Sequence, residues 1–107
     1  MDAEMKDRWV SALRSGSYRQ GRGELRTKDD RYCCLGVLCD LIDPEMWDTN
    51  EYGERHWHGS CAHLPDVVVD SLNLWDEYRH NEQTLIRMND NDGSTFSDIA
   101  DWIEENL

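Results

Sequence analysis

A chain of 107 residues carries 23 Asp or Glu against 11 Lys or Arg, a formal net charge of −12. That length allows one modest core and no second domain, so a single domain over 1–107 is expected. Its 38% apolar residues, five Trp among them, suffice to build that core and exclude wholesale disorder.

The acidic balance repels phosphate backbones and anionic lipid, so neither direct nucleic-acid binding nor membrane association is expected. The longest apolar run, Cys33 to Cys39, falls far short of the roughly 18 residues of a membrane span. The start, Met1 to Asp7, is acidic and lacks the basic and apolar regions of a secretory signal, which predicts a cytoplasmic protein. Four Cys in this setting are expected to be reduced and mostly buried.

In chain order, Met5, Trp9, Ala12 and Leu13 recur at helical spacing, predicting an amphipathic helix over 2–15 that Ser15-Gly16 ends. The segment 17–26 has no helical period and reads as a loop leading into a short strand. Thr27 to Asp30 is turn-like, and Arg31 to Cys34 is expected to return as the second strand of a hairpin. Leu35 to Ile42 is too apolar for the surface and predicts a buried helix, stopped near Asp43-Pro44. Short irregular strands are expected around Trp47 and Trp57. Pro65 opens a further helix whose buried stripe is Val67, Val68, Leu72 and Trp75.

An exposed connection is expected over 76–83 and a strand over Thr84 to Met88, followed by the loop Asn89 to Ser94. The last helix has the clearest start: Thr95 with Asp98 forms a near capping box, and Phe96, Ile99, Ala100 and Ile103 share one face. Together these elements predict an α+β fold, three to four helices packed with a short antiparallel sheet or hairpin.

Charge is unevenly spread. Residues 1–31 hold eight Lys or Arg against six Asp or Glu, and 32–107 hold three against seventeen, so the first part is +2 and the rest −14. The cationic part contains the most suggestive stretch: Arg14, Arg19, Arg22 and Arg26 interleaved with Gly16, Gly21 and Gly23, plus Tyr18 and Gln20. Glycines let backbone N–H groups approach an anion, arginine offers paired donors to phosphate, and a tyrosine ring stacks on a base. The competing reading is a solvated loop whose arginines pair with the protein's own carboxylates.

His56, His58, Cys61 and His63 are candidate zinc ligands, but their spacing matches no standard zinc site, so no metal or other cofactor is expected there. The acidic loop Asn89 to Gly93 resembles a calcium loop in composition only. With Gly93 in the sixth position the first falls on Met88 and the twelfth on Ile99, neither a carboxylate. Cys33 or Cys34 with a histidine could pair on paper as nucleophile and base, yet no local signature joins them. No G-x-S-x-G, Walker, H-E-x-x-H or paired-carboxylate pattern occurs, which favours a non-enzyme.

Three stretches, Trp9 to Gly21, the string Tyr32-Cys33-Cys34-Leu35-Gly36-Val37-Leu38-Cys39-Asp40-Leu41, and Phe96 to Ile103, resemble a widespread family of small uncharacterised proteins of tailed bacteriophages and prophages. The likeness covers about half the chain and leaves out 43–83; the loop before the last helix departs from the pattern by one extra residue. It implies a setting, an accessory protein in the cytoplasm of an infected bacterium, and by analogy a counter-defence role.

Three functions are weighed. The first is a non-enzymatic sponge holding a phosphate-bearing nucleotide signal at Arg14, Tyr18, Arg19, Gln20, Gly21, Arg22, Gly23 and Arg26, with a homo-oligomer easing construction of the pocket. The second is an acidic inhibitor that imitates nucleic acid and blocks a host defence protein. The third is a small enzyme degrading such a signal, with a metal at the His56 to His63 cluster.

Overall fold

The computed structural model describes the backbone of residues 2–71 and 75–107, and their side chains except those of Val67 and 70–79. Helix α1 spans Ala3–Arg14, and the Asp2 side chain caps it by accepting the Met5 N–H at 3.0 Å. Its apolar stripe, with Trp9, Val10 and Leu13 buried, packs chiefly on the C-terminal helix.

Helix α2, Cys34–Ile42, is buried over Cys34 to Cys39. Nine residues are too few for a stable isolated helix, so burial and not propensity holds it. A 3₁₀ turn over Pro44–Met46 leads into β1, Trp47–Thr49, which pairs antiparallel with β2, Arg55–Trp57, in the register Trp47 to Trp57. Helix α3 covers Asp66–Ser71, α4 Trp75–Asp90 and α5 Phe96–Asn106. The fold is α+β.

The expected capping box is present: Thr95 Oγ1 accepts the Asp98 N–H and Asp98 accepts the Thr95 N–H, at 3.2 and 3.0 Å. The Pro65 helix buries Val68; its other expected stripe members, the Val67 and Trp75 side chains and Leu72, lie outside the described residues.

Two expectations are corrected. Residues 76–83 and Thr84 to Met88 form neither connection nor strand but the body of α4. Its inward positions Glu82, Leu85 and Asn89 follow helical spacing, and because two of the three are polar, the stripe is hidden in a hydropathy reading. The expected hairpin, a short strand after the 17–26 loop returning over Arg31 to Cys34, also fails to form a ladder. The Thr27 to Arg31 turn is there, but Tyr32 makes only isolated bridges with Gln20 and Arg26, because Cys33 already caps α2 by accepting the Gly36 N–H.

The buried apolar residues form one cluster, centred on α2 and ringed by Trp9, Leu25, Trp57, Leu85 and the α5 face. Indole N–H groups are satisfied where they are buried: Trp9 donates to the Cys34 carbonyl and Trp57 to the Asp43 carbonyl, both at 2.9 Å. No helix among the described residues is long and apolar enough to cross a membrane.

Candidate functional site

The arginine-glycine segment leaves α1 at Arg14, crosses the N-terminal end of α2 and returns through the Thr27 turn. Three of its four arginines, Arg14, Arg19 and Arg26, bond back onto the protein itself. Arg14 forks onto Asp101 and Glu104 of α5, each at 2.5 Å. That pairing lowers the Glu104 carboxyl below its ordinary range and raises the Arg14 guanidinium, hydrogen bonding being the main cause in both.

Arg26 pairs with Asp30 and lies 5.2 and 5.4 Å from the ring centroids of Tyr32 and Trp47. Arg55 of β2 meets the same Asp30 carboxylate at 2.9 Å, so one acid ties the Thr27 turn to the sheet. Arg19 donates to the Asp29 carbonyl at 2.8 Å, whereas Arg22 is exposed with no ion pair among the described residues.

The other members of the segment are also engaged. Tyr18 donates to Asp40 at 2.6 Å and meets Tyr32 edge-on at 5.0 Å; burial first, then that hydrogen bond, pushes its phenol well above the ordinary value. Gln20 donates to Asn89 Oδ1 and to the Ser94 carbonyl. Gly21 is glycine for packing: a Cβ there would stand 2.8 Å from Arg31 Cβ. Gly23 has a φ of +80° and donates its N–H to Asp90 at 3.1 Å. The segment is thus a strap bound down by its polar groups.

The histidine candidates are dispersed. His56 sits on β2 opposite Asp48, His58 has a φ of +48° and its ring lies edge-on to Trp57, and the Cys61 carbonyl accepts the Leu25 N–H. His63 Nδ1 faces buried Glu82 at 3.3 Å. Among the described residues no three His, Cys, Asp or Glu side chains gather as metal ligands. Asn89 to Ser94 finishes α4, with the Arg87 carbonyl accepting the Asn91 and Asp92 N–H groups and Gly93 at a φ of +70°, a helix-ending device.

The thiols divide sharply. Burial pushes Cys33 up to about 12 and Cys34 and Cys39 well above the ordinary range, whereas Cys61 is exposed. A thiol reagent at neutral pH is therefore expected to titrate one group in the native protein and four in denaturant, and none rapidly in native Cys61→Ser. Rapid modification of a second native thiol would contradict this placement.

Sequence reasoning missed the cavity beside the strap. It has a volume of about 210 Å³ and is lined by Gly23, Glu24, Cys33, Cys34, Leu35, Ala62, His63, Ile86, Asn89 and Asp90. Gly23 is its one residue from the expected ligand-binding set. Glu82 to Asp90 could have been found from the i, i+3, i+7 placement of Glu82, Leu85 and Asn89, had polar residues been allowed on the inner face.

A second surface lies in 43–57, which holds Asp43, Glu45, Asp48, Glu51 and Glu54 against one Lys or Arg of its own, Arg55, paired with Asp30, and where the Lys28 side chain passes beside Gly53. The exposed large apolar residues among the described ones are both here: Met46, and Tyr52 at 70% exposure in the tip of the sheet.

Fold and surface together define a small α+β protein in which Arg14, Arg26, Arg31, Arg55 and Arg87 are paired with the chain's own carboxylates, while Glu24, Glu45, Asp48 and Glu51 have no cationic partner among the described residues. The chain belongs to the family described as Domain of unknown function (DUF8296), whose profile matches residues 1–107. No curated protein and no solved structure matches it.

Proposed function

We propose that this chain is a non-enzymatic acidic binding protein that docks on a basic surface of another protein. In the phage setting that the sequence resemblance implies, the partner is a host protein and the outcome is its inhibition. One observation carries the reading: Arg14, Arg26, Arg31 and Arg55 are consumed by the chain's own carboxylates, while Glu24, Glu45, Asp48 and Glu51 have no cationic partner among the described residues. A net charge of −12 so disposed steers the molecule toward cationic partners and accelerates encounter.

Capture of a phosphate-bearing nucleotide needs several guanidinium groups converging on one cavity. Among the described arginines only Arg22 lacks an internal hydrogen bond or ion pair, and the cavity beside the strap is bordered by Glu24 and Asp90. The cavity is also below the roughly 300–1,000 Å³ typical of organic-ligand sites. Signal degradation would need a nucleophile or metal cluster, and the buried thiols are protonated at neutral pH.

The test is affinity capture from a bacterial lysate with the tagged chain and with a Glu45→Lys, Asp48→Lys, Glu51→Lys, Glu54→Lys variant. The expected result is a basic partner retained at low salt, released at high salt and lost in the variant. Isothermal titration with cyclic and linear nucleotides is expected to show no heat; heat from any of them would restore the sponge reading and overturn this one.

A further inference from the structure

The cavity between the strap, the N-terminal end of α2 and the C-terminal end of α4 combines two chemistries. Its floor is Cys33, Cys34 and Leu35, all buried, with half-buried Ile86 and Ala62 at the sides. Thiols and aliphatic groups make this floor apolar and polarisable, suited to a flexible or branched hydrocarbon. The rim is different. Glu24 has no cationic partner among the described residues. Asp90 spends Oδ1 on the Gly23 N–H and the Asn89 amide and leaves Oδ2 without a partner among them.

Asp90 also ends α4, where the carbonyl end of the helix favours a positive group. The N-terminal end of α2 does not offset this, because the Cys34 N–H is taken by Asn89 Oδ1 and the Gly36 N–H by Cys33 Sγ. Arg22 precedes Gly23 in the chain but is not among the lining residues. A volume of about 210 Å³ is suited to one side chain and too small for a nucleotide.

The geometry points to a peptide-docking pocket that takes one aliphatic side chain of a basic partner segment, with an adjacent Lys or Arg of that segment held at the rim by Glu24 and Asp90. This rests on the reading of the chain as a protein that docks on basic surfaces, and it names the anchor. A buried aliphatic group in a pocket, surrounded by charge contacts at the rim, is the arrangement that concentrates binding energy at protein interfaces. His63 lines the cavity with Nδ1 facing buried Glu82, whose other oxygen accepts the Leu64 N–H, and these contacts hold the 63–64 segment against α4.

The probes are three tripeptide amides, acetylated Lys-Leu-Lys, Lys-Ala-Lys and Glu-Leu-Glu, titrated into the isotope-labelled full chain and followed by NMR. Lys-Leu-Lys is expected to shift the Ile86 methyl and the Gly23, Cys34 and Ala62 amides saturably. Lys-Ala-Lys should bind about tenfold more weakly, the loss expected for a missing hydrocarbon anchor. Glu-Leu-Glu should not bind. Glu24→Gln should weaken Lys-Leu-Lys by about threefold, a rim charge contact. Ala62→Trp, which fills the cavity, should abolish its binding while the remote α5 amides keep their positions.

The proposal is overturned if Lys-Leu-Lys gives no saturable shift, if Lys-Ala-Lys binds equally well, or if the shifts map to 43–57 instead of the cavity. The two readings fail separately. Loss of the lysate partner in the four-lysine variant with no tripeptide binding removes only the pocket. Tripeptide binding in the cavity, with nucleotide heat in the titration above, removes the basic-surface function and keeps the pocket.

Discussion

Replacing Gly36 with alanine is expected to unfold the protein or lower its stability by more than about 3 kcal/mol, the severe end of core overpacking. Inside a helix, Gly to Ala ordinarily stabilises by about 1 kcal/mol, so propensity alone predicts the opposite sign. Sterics decide the matter. A Cβ on Gly36 would stand 1.7 Å from the Leu25 carbonyl oxygen and 2.7 Å from its carbon, and both are backbone atoms.

The Leu25 backbone has little room to yield. Its N–H donates to the Cys61 carbonyl at 2.7 Å, its carbonyl accepts the Cys33 N–H at 3.2 Å, and its side chain is fully buried. The glycine therefore marks the place where the strap presses on α2. Urea unfolding followed by tryptophan fluorescence and far-UV circular dichroism reads the effect; a Gly36→Ala protein as stable as the parent would mean that the strap does not cross there.

Asn89→Ala is expected to cost about 3 kcal/mol, because it orphans buried backbone groups as well as deleting a side chain. Asn89 has no solvent exposure and serves four partners. Its Oδ1 accepts from Gln20 at 3.0 Å and the Cys34 N–H at 3.3 Å, and its Nδ2 donates to the Gly21 carbonyl at 2.8 Å and to Asp90 at 2.9 Å. An N–H on one side and a carbonyl on the other require an amide, which carries both acceptor and donor.

One residue of α4 thus fastens the strap to the start of α2. The lower urea midpoint of Asn89→Ala should be accompanied by faster hydrogen exchange at Cys34 and Gly23. Unchanged exchange at both amides would show that Asn89 does not hold the strap.

Much of the fold was legible because local rules and tertiary demands agree. The Thr95 to Asp98 box, the α1 stripe and the apolar run of α2 each announce themselves within a dozen residues, and the strands at Trp47 and Trp57 stand where aromatic residues flank a polar turn. α4 was illegible for a physical reason. Its inward face is built around Glu82 and Asn89, polar groups that the interior tolerates because their partners, Leu64, His63, Gln20 and Gly21, come from elsewhere in the chain.

The same reason separates the candidate sites. Arg14, Arg19 and Arg26 advertise anion binding by type and spacing. A cation's availability, however, depends on which carboxylates the fold brings to it, and Asp101 and Glu104 lie some ninety residues from Arg14 in the chain. Residue content by itself determined the acidic balance, the α+β class and the capped final helix, since these follow from composition and from interactions spanning a few positions. Only the tertiary structure decided that Arg14 and Arg26 are spent on internal carboxylates, that Gly36 must lack a side chain, and that a cavity with an acidic rim opens beside the strap. Each of these depends on long-range contacts that chain closure alone creates.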